Sequence, residues 1–208
     1  MKDNEHTVGG MSRRSFAVGA CGAGVLFAAG ALRIVPSGAV IRPPGGQDDS
    51  RILANCLRCE KCYEACPRGV IVPQHVEDGL LSVRMPTLNF DSDYCDFCVE
   101  EHGGNPLCVS ACPTGALALP DPTRAEDVII GKAVINRDWC LAYQLIGCRF
   151  CFDACPYEAI SLDGENRPVV NADSCNGCGA CESVCVSLKE GSISENASSR
   201  AIVVVPEG

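Results

Sequence analysis

The sequence has few of the residues from which large apolar cores and most catalytic sites are built. Aromatic residues make up only 5% of the 208 residues, and there are three histidines and one tryptophan. With so few large aromatic side chains, the hydrophobic core must be thin for a chain of this length. We interpret His6, His75 and His102 as solvated residues, and no Gly-rich phosphate cradle is present. The sequence therefore indicates no catalytic site and no small-molecule substrate.

The chain also lacks an apolar run of ordinary membrane-spanning length at its N-terminus. The run from Ala17 to Leu32 has 16 residues and is diluted by glycines, whereas a spanning helix needs about 20. Ser12-Arg13-Arg14-Ser15-Phe16 precedes it and resembles the twin-arginine (Tat) export consensus. We predict that residues 1–39 are a Tat signal segment, read by the Tat translocase, with a cleavage site at 37–39. An uncleaved anchor is the alternative.

Cysteine, by contrast, is abundant. Of the 17 cysteines, 16 fall into four quartets that all end in C-x3-C. Proline follows the last cysteine of the first three quartets, and Val186 follows the last cysteine of the fourth. Cys21, in the signal segment, is the odd one. The quartets are Cys56, Cys59, Cys62 and Cys66; Cys95, Cys98, Cys108 and Cys112; Cys140, Cys148, Cys151 and Cys155; and Cys175, Cys178, Cys181 and Cys185.

The spacing of the quartets favours iron–sulfur clusters over the two other uses of clustered cysteine. A disulfide framework has no need of a repeated C-x2-C-x2-C-x3-C-P pattern. Structural zinc prefers two separated C-x-x-C pairs. The pattern is instead the bacterial ferredoxin signature, in which three closely spaced thiolates bind three irons of one [4Fe-4S] cube and the fourth cysteine binds a neighbouring cube. We predict four [4Fe-4S] clusters with the 16 quartet cysteines as iron ligands.

The charge of the chain narrows the class of partner. The formal net charge is −9, and it is more negative when residues 1–39 are set aside. Clusters held by thiolates add further negative charge. Nucleic acid is therefore excluded as a partner, and either a basic docking surface on another protein or a simple solubilising role fits the acidity.

The order of motifs predicts a repeated plan. Residues 40–50 are rich in Pro and Gly and predict a linker, so the folded part is expected to begin near Arg51 and to extend over 51–208. Each Cys loop is expected to lead into a short helix opened at C-P and then a β-hairpin. Expected strands include Val70–Val72, and expected hairpins are 159–162 with 169–171, 115–119 with 133–136, and 191–193 with 201–205. The predicted fold class is α+β, ferredoxin-like, with little regular secondary structure.

The leader, the Arg42-Pro43-Pro44-Gly45 segment and the four quartets together resemble the NapG/MauM family of ferredoxin-type proteins, in particular its NapG-like branch. The resemblance implies an electron carrier at the periplasmic side or on the outer face of the cytoplasmic membrane. It would take electrons from a membrane quinol-oxidising protein (NapH-like) and pass them to a periplasmic redox acceptor, toward nitrate reductase. Alternatives are an electron-transfer subunit of another exported molybdoenzyme and a MauM-like factor in methylamine dehydrogenase formation.

The sequence leaves open which motifs share cubes. The short segment between Cys155 and Cys175 favours sequential pairing, first with second and third with fourth. Resemblance to the four-cluster subunits of molybdoenzymes implies nested pairing, first with fourth and second with third. Of the two, we favour the nested arrangement as the expectation.

Overall fold

A computed structural model describes residues 40–79, 81–120, 127–144, 146–187, 197 and 199–207. The chain divides by its contacts into residues 1–37 and 38–208, and all described residues belong to the second unit. The predicted signal segment and Cys21 lie outside the described residues. Within the described ranges no helix is long and apolar enough to cross a membrane.

Regular structure in the described ranges is sparse and short, and helices and strands are mixed, as the sequence predicts. The elements are α1 (Asp49–Asn55), α2 (Lys61–Glu64), β1 (Ile71–Pro73), a 3₁₀ turn (Val76–Asp78), β2 (Pro86–Leu88), α3 (Val99–His102), α4 (Leu107–Ser110), β3 (Lys132–Ile135), α5 (Phe150–Asp153), β4 (Ile160–Leu162), β5 (Pro168–Val170), α6 (Ala180–Ser183) and β6 (Ile202–Val205).

The six strands of the described ranges form three separate antiparallel pairs. β1 pairs with β2, with Ile71 opposite Leu88. β4 pairs with β5, with Ile160 opposite Val170. β3 pairs with β6, with Ile135 opposite Ile202. The first two pairs are local hairpins between consecutive Cys motifs, whereas β3 and β6 flank the third and fourth motifs and enclose them.

Five of the predicted strands are present, and one of the predicted hairpins is confirmed; β3 and β6 overlap the strands expected at 133–136 and 201–205. The β4–β5 hairpin matches the expected one, and β1 overlaps the expected strand at Val70–Val72. The expected pairing of residues 115–119 with 133–136 is wrong, because Leu117 N donates to Cys112 Sγ and Ala118 N donates to Gly45 O at 3.1 Å. β3 is thereby left to pair with β6. Residues 191–193, the other expected partner of β6, lie outside the described residues.

The expected linker is part of the packed structure. Residues 41–46 are buried, although the folded part was expected to begin near Arg51. The guanidinium of Arg42 explains why, since it donates to Asp49 Oδ1 at 3.0 Å, to Gln74 Oε1 at 3.0 Å and to Pro86 O at 3.1 Å. A buried charge with this many partners fixes the segment against α1 and the β1–β2 hairpin.

The main apolar cluster joins the two halves of the sequence. It includes Ile52, Met85 and Phe97 from the first half and Ile130 and Val204 from the second, all at most 7% exposed. The cluster is small for a unit of this size, and cysteines of both halves pack against or within it. The cysteine-rich interior is therefore continuous with the apolar core.

Candidate metal centres

The structure gathers the 16 quartet cysteines into four pockets, and each pocket is lined by four of them. We number each pocket by the motif that supplies three of its cysteines. Each pocket contains 320 to 380 Å³ of empty space, including open solvent at its mouth. Pocket 1 is lined by Cys56, Cys59, Cys62 and Cys112; pocket 2 by Cys95, Cys98, Cys108 and Cys66; pocket 3 by Cys140, Cys148, Cys151 and Cys185; and pocket 4 by Cys175, Cys178, Cys181 and Cys155.

This arrangement corrects the expected motif pairing. In every pocket the fourth cysteine comes from the adjacent motif, so the pairing is sequential and the nested expectation is wrong. The reason is local: the β1–β2 hairpin turns the chain back between the first two motifs, and the β4–β5 hairpin does the same between the last two. Short antiparallel hairpins bring sequence neighbours together at low entropic cost.

In each motif a four-residue helix contains the third cysteine and ends before the fourth. Cys62, Cys108, Cys151 and Cys181 lie within α2, α4, α5 and α6, and the fourth cysteine of each motif follows two residues after the helix ends. The expectation of a helix opened at C-P is therefore wrong, since turns follow the fourth cysteine there. In the first three motifs the proline after the fourth cysteine favours this end point, because it disfavours helical geometry in the residue ahead of it. The fourth motif has Val186 there, and its helix ends at the same place without a proline.

The first and fourth motifs share a backbone shape but differ in residue type. Arg58 and Glu60 have φ of 54° and 67°, and the corresponding Gly177 and Gly179 have φ of 80° and 86°. A Cβ on Gly177 would collide with the backbone of Gly131, and one on Gly179 would collide with the Phe90 ring. Glycine is therefore required in the fourth motif by close packing as well as by conformation. The glycines were visible in the sequence, but their packing partners were not.

Burial raises the pKa of several of these thiols and so favours their neutral form. It raises the pKa of Cys62, Cys108, Cys151 and Cys178 to about 12. At Cys112 burial also acts to raise the pKa, but the N–H groups of Leu117 and Thr114 donate toward the sulfur and outweigh it, so its pKa is lowered. Backbone N–H groups reach two further sulfurs, from Ala133 to Cys175 Sγ at 3.4 Å and from Ala159 to Cys155 Sγ at 3.3 Å. Such donors stabilise a thiolate.

Neighbouring pockets are in electrostatic contact within each half. Burial is the largest cause of the raised pKa of Cys108, and the negative charges of Cys98, Cys66 and Cys62 are the next largest. Because Cys62 lines pocket 1, this interaction couples pocket 2 to pocket 1. In the second half, burial is the largest cause of the raised pKa of Cys181 in pocket 4, and the negative charge of Cys151 in pocket 3 is a smaller cause.

Pockets 2 and 4 meet where the two halves join. Cys95 N donates to Cys178 O at 2.9 Å. Beside this bond, the rings of Phe97 and Tyr157 pack edge to face, with centroids 6.4 Å apart. The order of the pockets is therefore 1, 2, 4, 3, with pockets 1 and 3 at the two ends.

The donor set fits clusters better than single ions. Among the described residues no group of His, Cys, Asp or Glu side chains forms a site for one metal ion. Four thiols that each bind a different iron of one cube lie farther apart than the ligands of a single ion. Zinc, by contrast, needs all of its cysteine ligands about 2.3 Å from one centre. All 16 quartet cysteines are free thiols. His75 and His102, which the sequence predicts to be solvated, are exposed and line none of the four pockets.

Comparison with known proteins agrees with this organisation. A family model described as a 4Fe-4S dicluster domain matches residues 55–116 and 146–187. The first segment contains both of the first two quartets, and the second contains the last two except Cys140. No solved structure gives a significant match to the chain.

Named relatives cover most of the chain. The ferredoxin-type protein NapF of Escherichia coli K12 is 38% identical over 151 residues, which is 70% of this chain and 79% of that protein. The ferredoxin-type protein NapG of the same strain is 32% identical over 163 residues, 72% of this chain and 68% of that protein. The methylamine utilization ferredoxin-type protein MauM of Methylobacillus flagellatus is 34% identical over 190 residues, 85% of this chain and 77% of that protein.

Proposed function

Because this chain belongs to the family of ferredoxin-type proteins that includes NapF, NapG and MauM, and is an iron–sulfur electron-transfer protein of that family, we propose that it carries four [4Fe-4S] clusters, one in each pocket. The observation that carries the proposal is the 3 + 1 lining of every pocket by cysteine. This is the ligand arrangement of two-cluster ferredoxins, and we propose that each half of the described unit is a ferredoxin-like module.

The protein's contribution is to hold, space and desolvate the sites. Each bound cluster would supply one-electron chemistry by cycling between 2+ and 1+ core states. The apolar linings of pockets 3 and 4, which contain no charged side chain, exclude water and lower the local dielectric. The backbone N–H groups of Leu117, Ala133 and Ala159 orient and stabilise the sulfurs to which they donate.

The order 1, 2, 4, 3 makes the chain a single route for electrons. Electron tunnelling weakens steeply with distance, so transfer follows nearest neighbours. Every step along this order joins pockets whose residues are in contact or electrostatically coupled. We propose that electrons enter at one end pocket and leave at the other by single-electron hops.

For the physiological role we propose transfer from a membrane quinol-oxidising protein toward a periplasmic nitrate reductase, after Tat export. The likeness to NapF and NapG and the twin-arginine motif support it. A role in methylamine utilization is the second candidate, supported by the match to MauM, which extends over 85% of this chain. A strain lacking the gene separates the two roles, because it should lose growth on nitrate in the first case and on methylamine in the second.

Cluster content is tested by iron and acid-labile sulfide analysis of anaerobically prepared protein, with an EPR-monitored redox titration. We expect about 16 iron and 16 sulfide per chain and reversible one-electron reductions. Substantially less iron, with zinc or oxidised cysteine in its place, would contradict the carrier and favour a scaffold or disulfide protein.

A further inference from the structure

Pocket 1 differs from the other pockets in the charge of its lining. Three cations and one carboxylate line it: Arg58, Lys61, Arg84 and Glu60. Arg84 forms an ion pair with Glu60. Arg58 donates instead to two backbone carbonyls, Val83 O at 2.9 Å and Leu81 O at 2.8 Å. The positive charges of Arg58 and Lys61 are therefore not balanced by the carboxylate that lines the pocket.

The other pockets have no such excess among the described residues. In pocket 2 the one cation, Arg68, pairs with Asp96 at 3.2 Å. Pockets 3 and 4 are lined by no charged side chain. Arg149, in the Cys loop of pocket 3, is bound by Asp153 at 2.6 Å. The positive end of the pocket order is therefore pocket 1, in a chain whose net charge is −9.

Pocket 1 is also the accessible end. Cys59 is the one exposed thiol of the 16 quartet cysteines. Two large apolar side chains near it are unusually exposed, Leu57 at 69% and Leu81 at 76%. The bonds from Arg58 hold the turn that carries Leu81 beside the Cys loop that carries Leu57. An exposed ligand with apolar and charged neighbours is the arrangement expected of a surface that meets a partner transiently.

We propose that this surface, made of Leu57, Arg58, Cys59, Lys61 and Leu81, docks the acidic face of a one-electron redox protein. The proposal rests on the proposed function, because pocket 1 must hold a cluster for an electron to cross. One electron passes between that cluster and the partner's cofactor, so one is oxidised as the other is reduced, and no bond or proton changes. Arg58 and Lys61, which the lining carboxylate does not balance, attract the partner's acidic face at short range against the negative charge of the clusters, and the leucines supply a small apolar contact.

The probe is plastocyanin, an acidic copper protein that accepts one electron as Cu(II) becomes Cu(I). Anaerobically reduced protein is mixed with it in a stopped-flow instrument at increasing salt. Local attraction at pocket 1 predicts a rate that falls as salt rises, whereas the net charge of −9 acting alone predicts repulsion and a rate that rises. Replacing both cations, R58Q with K61Q, is expected to lower the low-salt rate by about tenfold and to reverse the salt dependence.

The matched control removes one positive charge at the other end. Arg137 is exposed and stacks on Tyr143, whose ring packs in the Cys140 cluster of side chains. K61Q is expected to slow the reaction severalfold, and R137Q to leave it unchanged. An equal effect of the two variants, or a wild-type rate that rises with salt, would overturn the proposal.

Two further readings separate the possible failures. Iron content and EPR spectra are measured on the wild type and on every variant. A wild-type protein without a cluster in pocket 1 would count against the proposed function, whereas a full cluster content with no salt effect would count against docking alone. Sedimentation velocity detects a second copy of the chain on this surface. Dimers that K61Q dissociates would assign the surface to self-association and overturn docking of a redox partner.

Discussion

Replacement of Gly179 by alanine tests the junction between the two halves. Gly179 has φ of 86°, and a Cβ there would overlap the ring of Phe90. Phe90 is 4% exposed and belongs to the shared core, and its carbonyl accepts from Arg200 at 2.7 Å. Neither the ring nor its backbone is free to withdraw, so the two halves must separate slightly or Phe90 must repack.

The expected cost has two parts. An alanine forced into the left-handed region costs about 1 kcal/mol, and overpacking of a filled core costs about 1–3 kcal/mol more. A total near 3 kcal/mol lowers the melting temperature by about 6–12 °C for a unit of this size. Gly69 has φ of 63° with nothing within 4 Å of a Cβ. G69A therefore measures the cost of the left-handed backbone alone, and it is expected to lower the melting temperature by about 2–4 °C. Gly164 is open and lacks a positive φ, so G164A is expected to change little.

The assay is an anaerobic melt at fixed scan rate, followed by loss of the visible cluster absorbance. EPR relaxation accompanies it and reports the coupling between the clusters proposed for pockets 2 and 4. The double variant G179A with F90L is expected to lose less than the sum of the single variants, because the smaller side chain makes room for the new methyl. If G179A melts within a degree or so of G69A and leaves the EPR relaxation unchanged, Phe90 does not pack on Gly179 and the described junction is wrong.

Three other predictions follow from the same geometry. C56S and C112S should each remove about four iron atoms and the double variant no more, whereas C56S with C185S should remove about eight; nested pairing predicts the reverse. Burial raises the pKa of thiols such as Cys62 to about 12, so cluster insertion must release protons from them. The yield of cluster reconstitution should therefore rise between about pH 6 and 9. A yield that does not change with pH would contradict neutral thiols. Arg42→Ala strands the buried acceptors Gln74 Oε1 and Pro86 O and should cost about 2–3 kcal/mol in the same anaerobic melt, with an unshifted midpoint as the contrary result.

The sequence predicts the parts of the structure that local pattern encodes. The turn between β4 and β5 follows from its Asp-Gly signal, although the residue in the left-handed conformation is Asn166, at φ 58°, and not Gly164. Asp163 Oδ1 accepts from the N–H groups of Glu165 and Arg167, both at 2.9 Å, which closes a longer loop than the two-residue type.

Long-range pairings were beyond sequence reasoning. β3 and β6 are separated by about the whole length of the third and fourth motifs, and either strand has the apolar character to pair with several others. The burial of Arg42 depends on Gln74 and Pro86, which lie far along the chain and have no periodic relation to it. The sequential grouping of cysteines around the pockets was equally open, since the spacing of cysteines is the same under either pairing and only the fold brings Cys112 to pocket 1.

The left-handed positions of the first and fourth motifs show how one loop shape serves two purposes. Where the loop faces the other half, glycine at 177 and 179 lets backbone and ring approach closely. Where the loop faces outward, Arg58 and Glu60 occupy the same conformation at a cost of about 1 kcal/mol each, which glycine would avoid. The side chains must therefore contribute something that glycine lacks, and both hold the 81–84 turn, Arg58 through backbone carbonyls and Glu60 through Arg84. Phe97, at the corresponding place in the second motif, has φ of 57° and is fully buried. The left-handed conformation therefore belongs to the Cys loop in all three motifs, and the side chain placed there decides whether the loop packs inward, as Phe97 does, or holds an exposed turn, as Arg58 does.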